Sequence, residues 1–324
     1  MNRLASTVLV TGLLALAACG SGSGGAESSG DGPWTYTDDR GETITADSTP
    51  ARIVAQVSIA AGLWDLGIES VGVFGPLKTV DGSVDPQAGN VDPGKVTDVS
   101  TAAYGELDLE KLAELEPDLV VTNMFLPPEL WYINAATEKK AEKLVPILAV
   151  DFKDASLIES IERVQKVAEA LGADLGSVAA EQGRKDFDEA SDRLRAVGKA
   201  LAGKQILVVS ATPDRVYLGD PARFPDLDYF TTLGLPLVKA DAPDGSYWED
   251  LSWENADKYD ADIVLWDSRD NGATLEQLEQ QPAFSAVRAA RNGAYVPWQA
   301  VAPYSFAGYA KVMNELADLL EAQV

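Results

Sequence analysis

Residues 177–210 read SVAAEQGRKDFDEASDRLRAVGKALAGKQILVVS, and the fold turns on how this stretch divides. Phe187, Ala190, Leu194 and Val197 recur at the spacing of one helical face. No proline interrupts the run, so the pattern predicts a single helix from Ser177 to about Lys199, roughly six turns long. Gln205 to Ser210 is then short, apolar and rich in branched residues, the mark of a buried strand. A strand–helix pattern stands on both sides of the long helix, so the chain reads as lobe, helix, lobe.

Upstream, Trp34 to Ala46 alternates as a hairpin turning at Asp38-Asp39-Arg40-Gly41. Strands are expected at Arg52–Ala55, Val71–Phe74, Asp118–Val121 and Pro146–Val150, with helices ending near Leu66-Gly67 and spanning Asp108–Leu115. Leu157, Ile161, Val164, Ala168 and Leu171 form another helical face, opened by a Ser156–Glu159 capping box and stopped by Gly172. Strands alternating with helices at this pace predict an α/β fold with parallel-rich sheets. Gly75 to Tyr104 reads as one long loop, a length that usually carries function.

The two halves echo each other. Glu110 precedes Pro117-Asp118-Leu119-Val120-Val121, and Glu254 precedes Ala261-Asp262-Ile263-Val264-Leu265. Each glutamate lies near the start of a short helix, eight residues before an aspartate that opens a strand. A carboxylate in a first helical turn complements the helix dipole, worth ~0.3–1 kcal/mol. Its recurrence at one point of a repeated unit points equally to a shared role, and the residues alone leave both readings open.

The N-terminus predicts export. Arg3 precedes an apolar stretch from Leu4 to Ala18, shorter than the roughly 20 residues a membrane span needs. Leu16-Ala17-Ala18 then leads into Cys19, the only cysteine. Residues 20–32 contain only Gly, Ser, Ala, Glu and Asp, a flexible tether. The expected division is a signal peptide over 1–18, Cys19 and a tether over 19–32, lobes over 33–173 and 201–324, and a linking helix over 174–200.

Composition narrows the chemistry. A net charge of −25 with no basic cluster argues against nucleic acid as a partner. Histidine is absent, which removes Ser-His-Asp and Cys-His catalysis and the usual transition-metal ligands. Carboxylate-dependent hydrolysis remains open, yet no acidic pair stands out among 51 Asp and Glu residues. No catalytic residue and no resident metal or cofactor is expected.

The sequence Leu16-Ala17-Ala18-Cys19 resembles a bacterial lipobox, which implies lipidation of Cys19 and a membrane anchor on the extracytoplasmic face. The body resembles the substrate-binding proteins of ABC importers that capture ferric siderophores and vitamin B12. Carrying this likeness are Asp38–Gly41 before Pro50–Val54, Leu66-Gly67-Ile68 before Val71–Val73, Leu109-Glu110-Lys111-Leu112 before Pro117–Val121, Leu251-Ser252-Trp253-Glu254 before Asp262–Leu265, and a closing Tyr304–Leu320 helix. Together these cover nearly all of the chain beyond the leader. The resemblance implies two Rossmann-like lobes joined by one long helix and a ligand in the cleft between them. It further implies a monomer that delivers its ligand to a permease dimer with a cytoplasmic ATPase, and permease docking through Glu110 and Glu254.

A cleft for a rigid chelate calls for aromatic walls and a few aimed polar groups. Aromatics in expected loops are Tyr104, Trp131 and Tyr132 in the first lobe, with Phe125 beside them. The second lobe offers Arg215, Tyr217, Arg223, Phe224, Tyr247 and Trp248, with Trp298 and Tyr304 flanking the last loop. Trp64, Phe152, Phe187 and Trp266 fall in regular elements and are assigned to packing. Only scattered arginines are present, whereas a trianionic ferric catecholate would want a cluster of cations. A neutral or cationic ferric hydroxamate fits better, its iron wrapped by the chelator. Cobalamin fits the same aromatics, and a sensor that has lost transport is a further alternative.

Overall fold

A computed structural model describes residues 32–269 and 275–324. The leader, Cys19 and most of the tether lie outside the described residues. The hairpin forms as expected from β1 (Trp34–Thr37) and β2 (Thr43–Ala46), in the register Trp34↔Ala46 to Thr37↔Thr43. Buried Asp38 accepts hydrogen bonds from the Arg40 and Glu42 N–H groups inside the turn, and from Ala149 N at 3.1 Å. One carboxylate thereby closes the turn and pins the hairpin to the first lobe.

That lobe is built on β3 (Ile53–Gln56), β4 (Gly72–Phe74), β5 (Thr97–Asp98), β6 (Leu119–Met124) and β7 (Ile147–Asp151), in the order β5-β4-β3-β6-β7 and all parallel. Strands β3, β4 and β6 are buried throughout, which is why they read as unbroken apolar runs. Around them lie α1 (Val57–Trp64), α2 (Leu109–Glu114), α3 (Ala135–Ala141) and α4 (Leu157–Ala170). The capping box at Ser156 and Glu159 is present, and Gly172 takes φ 99° beyond the end of α4. The stretch from Gly75 to Tyr104 is not one loop. It contains β5 and a 3-10 turn over Pro86–Ala88, both too short to impose a period on the sequence.

Helix α5 (Val178–Ala200) spans 23 residues with Ser177 as N-cap. It leads into the second lobe, built on β8 (Ile206–Ala211), β9 (Arg215–Gly219), β10 (Trp248–Ser252), β11 (Ile263–Asp267) and β12 (Tyr295–Trp298). The order is β10-β9-β8-β11-β12; β11 is parallel to both neighbours, while β9 runs antiparallel between β8 and β10. Helices α6 (Pro225–Thr232), α7 (Leu275–Glu279), α8 (Arg288–Asn292) and α9 (Phe306–Glu321) complete it.

The echo between lobes has a structural cause. Asp118 Oδ2 accepts from Ala51 N and Arg52 N at 2.9 and 2.8 Å, where the chain enters β3. Asp262 Oδ2 accepts from Gln205 N at 2.9 Å, where it enters β8. Each aspartate thus registers the base of its own strand against the neighbour.

Packing runs from lobe to lobe. Helix α9 lies along α5, with Arg193 of α5 ion-paired to Asp318 and, at 2.9 Å, to Glu321 of α9. The N-terminus of α9 reaches back to the first lobe, where Ser305 Oγ donates to Asp65 at the end of α1. Gly62 lies against Tyr304 so closely that a β-carbon would sit 2.6 Å from the Tyr304 carbonyl oxygen. A single hydrophobic core contains Ile59 and Val121 of one lobe together with Ile206 and Leu265 of the other.

Candidate functional site

The space between the lobes divides into two adjoining chambers. The larger, about 880 Å³, is walled by Lys78, Asp81, Asp85, Gln87, Tyr104, Trp131 and Tyr132 on the first lobe and by Ser268, Arg269, Gln299 and Val301 on the second. The smaller, about 300 Å³, lies among Phe125, Trp131, Phe224, Asp226, Tyr247, Trp248 and Tyr304. Trp131, Arg269 and Val301 line both, so the two form one cleft.

Topology places these residues. Phe125 follows β6, Arg269 follows β11 and Gln299 to Tyr304 follow β12, all at the carboxyl edges where open α/β sheets present ligand contacts. Phe224 to Asp226 and Gly245 to Tyr247 belong to the crossing from β9 to β10, and Trp248 opens β10. Trp131 is held by its N–H to Asn123 O at 2.8 Å and by Thr122 Oγ1 donating to its carbonyl at 2.9 Å. Its indole Nε1 is buried and has no hydrogen-bond partner among the described residues, a donor suited to a ligand oxygen. Tyr132 takes φ 60°, a left-handed conformation rare for a bulky residue, and its ring rests 4.9 Å from that of Tyr104.

The aromatics form a chain across the cleft. Phe125 meets Trp131 at 4.9 Å and Tyr247 of the other lobe at 6.4 Å, and Tyr247 meets Phe224 at 5.0 Å. Phe224 continues to Trp248 and Trp298 at 4.9 and 5.3 Å. Burial pushes the Tyr132 and Tyr247 hydroxyls up to about 12, so both are neutral donors in ordinary conditions.

Charge is sparse and mostly paired. Arg269 binds Asp267 with two hydrogen bonds of 2.9 and 2.7 Å, a bidentate pair at the junction of the chambers. Asp226 is buried, and its Oδ2 accepts from Trp298 Nε1 at 2.7 Å. Burial raises the Asp226 carboxyl to about 6, although that hydrogen bond, neighbouring backbone N–H groups and Arg269 all pull the other way. Asp85 is raised as well, again chiefly by burial.

Of the residues expected in the cleft, Tyr104, Trp131, Tyr132, Phe224, Tyr247, Trp248 and Tyr304 line the two chambers. Trp298 lies behind Phe224 and Trp248, 2% exposed. Arg215 does not line either chamber and pairs with Asp250 at 2.6 Å across the β9–β10 ladder. Tyr217 shares that ladder, and Arg223 pairs with Asp220 and Asp244 at 3.6 and 3.5 Å. Phe152 packs in the core as expected, its ring 4.2 Å from that of Tyr304.

Sequence reasoning missed Arg269, Asp226 and Gln87. Arg269 had a usable signal: it stands two residues past the end of a buried strand, where ligand contacts gather. Asp226 gave none, because its partner Trp298 is 72 residues away.

Glu110 and Glu254 are exposed at corresponding places. Asp108, the N-cap of α2, donates its N–H to Val99 O at 2.8 Å, which sets Glu110 just beyond the end of β5. Glu254 sits in a 3-10 turn, Trp253–Asn255, just beyond the end of β10, which runs in the same direction as β8 and β11. Both glutamates therefore stand at the carboxyl edges of their sheets.

The family model described as periplasmic binding protein matches residues 55–301. The structure of DesE, a ferric-siderophore receptor protein from Streptomyces coelicolor, is 35% identical with a TM-score of 0.81, covering 89% of this chain and 98% of that one. The petrobactin-binding protein YclQ of Bacillus subtilis shares the fold at 18% identity and a TM-score of 0.67, over 89% of this chain and 99% of that one. The Fe(3+)-citrate-binding protein YfmC of Bacillus subtilis (strain 168) is 23% identical, over 89% of this chain and 86% of its own length.

Proposed function

The chain belongs to the periplasmic binding protein family, and from that premise we propose that it is the extracytoplasmic solute-binding component of an ABC importer, capturing an iron(III)–siderophore between its lobes. Members of this family bind solutes rather than transform them, so the carboxylate-dependent hydrolase falls away. The observation that carries the reading is the interlobe cleft, whose aromatic walls come from both lobes and whose larger chamber, about 880 Å³, is the size of an organic chelate site. The 35% identity to a ferric-siderophore receptor over 89% of the chain supports the iron–siderophore class.

Charge favours a hydroxamate within that class. Arg269 is neutralised by Asp267, and Asp81, Asp85 and Asp226 outnumber Lys78 among the remaining charged groups of the two walls. A trianionic catecholate would meet repulsion there, whereas a neutral or cationic chelate would not. Capture would proceed with a small hinge motion, because α5 and α9 brace each other and Ser305 ties α9 to α1. We further assign lobes 33–173 and 201–324 with a linker over 174–200, a lipid anchor at Cys19, and a monomer that presents Glu110 and Glu254 to arginine pockets of a permease. Such paired charged anchors would fix the docking orientation.

Tryptophan-fluorescence titration with ferrioxamine, ferrichrome, ferric enterobactin and cobalamin tests the ligand. Saturable quenching by a ferric hydroxamate at submicromolar concentration is the expected result. Quenching by none of the four would overturn the proposal, and preference for cobalamin or the catecholate would replace the ligand class.

A further inference from the structure

The smaller chamber differs in chemistry from the larger, and its features converge on one kind of guest. Its volume, about 300 Å³, lies at the lower end for ligand sites, well below that of the 880 Å³ chamber it adjoins. It can hold a side arm. Its walls carry the faces and edges of Phe125, Phe224, Tyr247, Trp248 and Tyr304. Asp226, 4% exposed, is among its lining residues, its carboxylate bonded to Trp298 Nε1 and to backbone N–H groups of its own helix start. No direct ion pair to Asp226 exists among the described residues; hydrogen bonds from Trp298 Nε1 and the backbone, with the more distant charge of Arg269, hold this carboxylate in the interior.

We infer that the smaller chamber is an ammonium subsite, in which the aromatic rings surround a protonated alkylamine on the ligand and the Asp226 carboxylate accepts its hydrogen bond. This rests on reading the cleft as a chelate site. Aromatic faces attract a desolvated cation through their quadrupoles, and a buried carboxylate supplies the opposite charge and an acceptor. Arg269, which also lines the chamber, does not oppose the cation as a free charge would, because Asp267 holds its guanidinium in a bidentate pair. The Asp226 carboxyl is raised chiefly by burial, a cost that Arg269 offsets only in part and that a cation seated beside the carboxylate would relieve further. Asp226 would then set specificity, separating chelates with a free terminal amine from those whose amine is capped.

Two probes decide this. The first is a matched pair of chelates, ferrioxamine B with its terminal amine and the same complex N-acetylated. The purified protein is expected to bind the amine form about tenfold more tightly, the size of one desolvated charge-assisted hydrogen bond. Asp226→Asn is expected to lose the preference and bind the two forms with equal affinity. The second probe is n-pentylammonium alone, observed by saturation-transfer NMR, which should give a saturable signal that ferrioxamine B displaces. Equal affinity for both chelates with no pentylammonium signal overturns the inference while leaving the chelate site standing. Pentylammonium binding without binding of either chelate keeps the subsite and overturns the chelate reading. Should Asp226→Asn fail to fold, the measurements on the unsubstituted protein still decide.

Discussion

Tyr247 Oη donates a hydrogen bond of 3.0 Å to the carbonyl oxygen of Phe125, joining residues 122 positions apart on opposite lobes. It spans the cleft at the point where the aromatic chain passes from one lobe to the other. Tyr247→Phe keeps the ring and deletes this bond, a loss of about 1 kcal/mol from the closed arrangement. The ligand-free variant is expected to have a larger radius of gyration by small-angle X-ray scattering, with the chelate-bound forms alike. An unchanged ligand-free radius would mean that the bond does not restrain the lobes.

Asp226 makes a prediction about pH. Its folded-state value, about 6, lies above that of a carboxyl in an unfolded chain, about 3.9. The folded protein therefore holds the extra proton between those values, and stability falls as pH rises through that window. Above it the penalty is complete, roughly 3 kcal/mol. Asp226→Asn keeps an acceptor for Trp298 and should raise stability by about that amount at pH 8, with little gain at pH 4. Urea unfolding at both pH values checks this, and an equal effect at the two would refute it.

Gly62 tests the lobe contact. Alanine there would place a β-carbon 2.6 Å from Tyr304 O and 3.3 Å from a Val164 methyl, and the first of these is rigid backbone. Gly62→Ala should destabilise the protein by about 2 kcal/mol and weaken chelate binding, because Tyr304 lines the smaller chamber. Thermal unfolding and the fluorescence titration measure the two effects. A variant as stable as the original would show that the segment shifts freely.

The docking role of the paired glutamates separates from ligand binding. Glu110→Ala combined with Glu254→Ala should abolish chelate uptake by cells and leave the affinity of the purified protein unchanged. Uptake that survives would reduce both residues to carboxylates at helix starts.

What could be read in the sequence was what local chemistry determines. Helix α5 showed itself through Phe187, Ala190, Leu194 and Val197, all buried, and α4 through its capping box. Buried strands such as β6 and β8 showed as apolar runs, because sheets covered on both faces need no alternation. Two-residue β5 carries too little pattern to be seen. The cleft was half legible: loops after strands pointed to Trp131, Tyr247 and Tyr304. The destination of a charge was not, because it depends on distant partners. Arg215 found Asp250 on the adjacent strand, and Asp226 found an indole from β12.

Capture between the lobes is tested most directly by hydrogen–deuterium exchange of the protein with and without ferrioxamine B. Protection is expected together in residues 125–132 of the first lobe and in residues 224–226, 245–248 and 299–304 of the second. Protection confined to one lobe, or absent from both while the chelate is bound, would contradict a ligand held in the interlobe cleft.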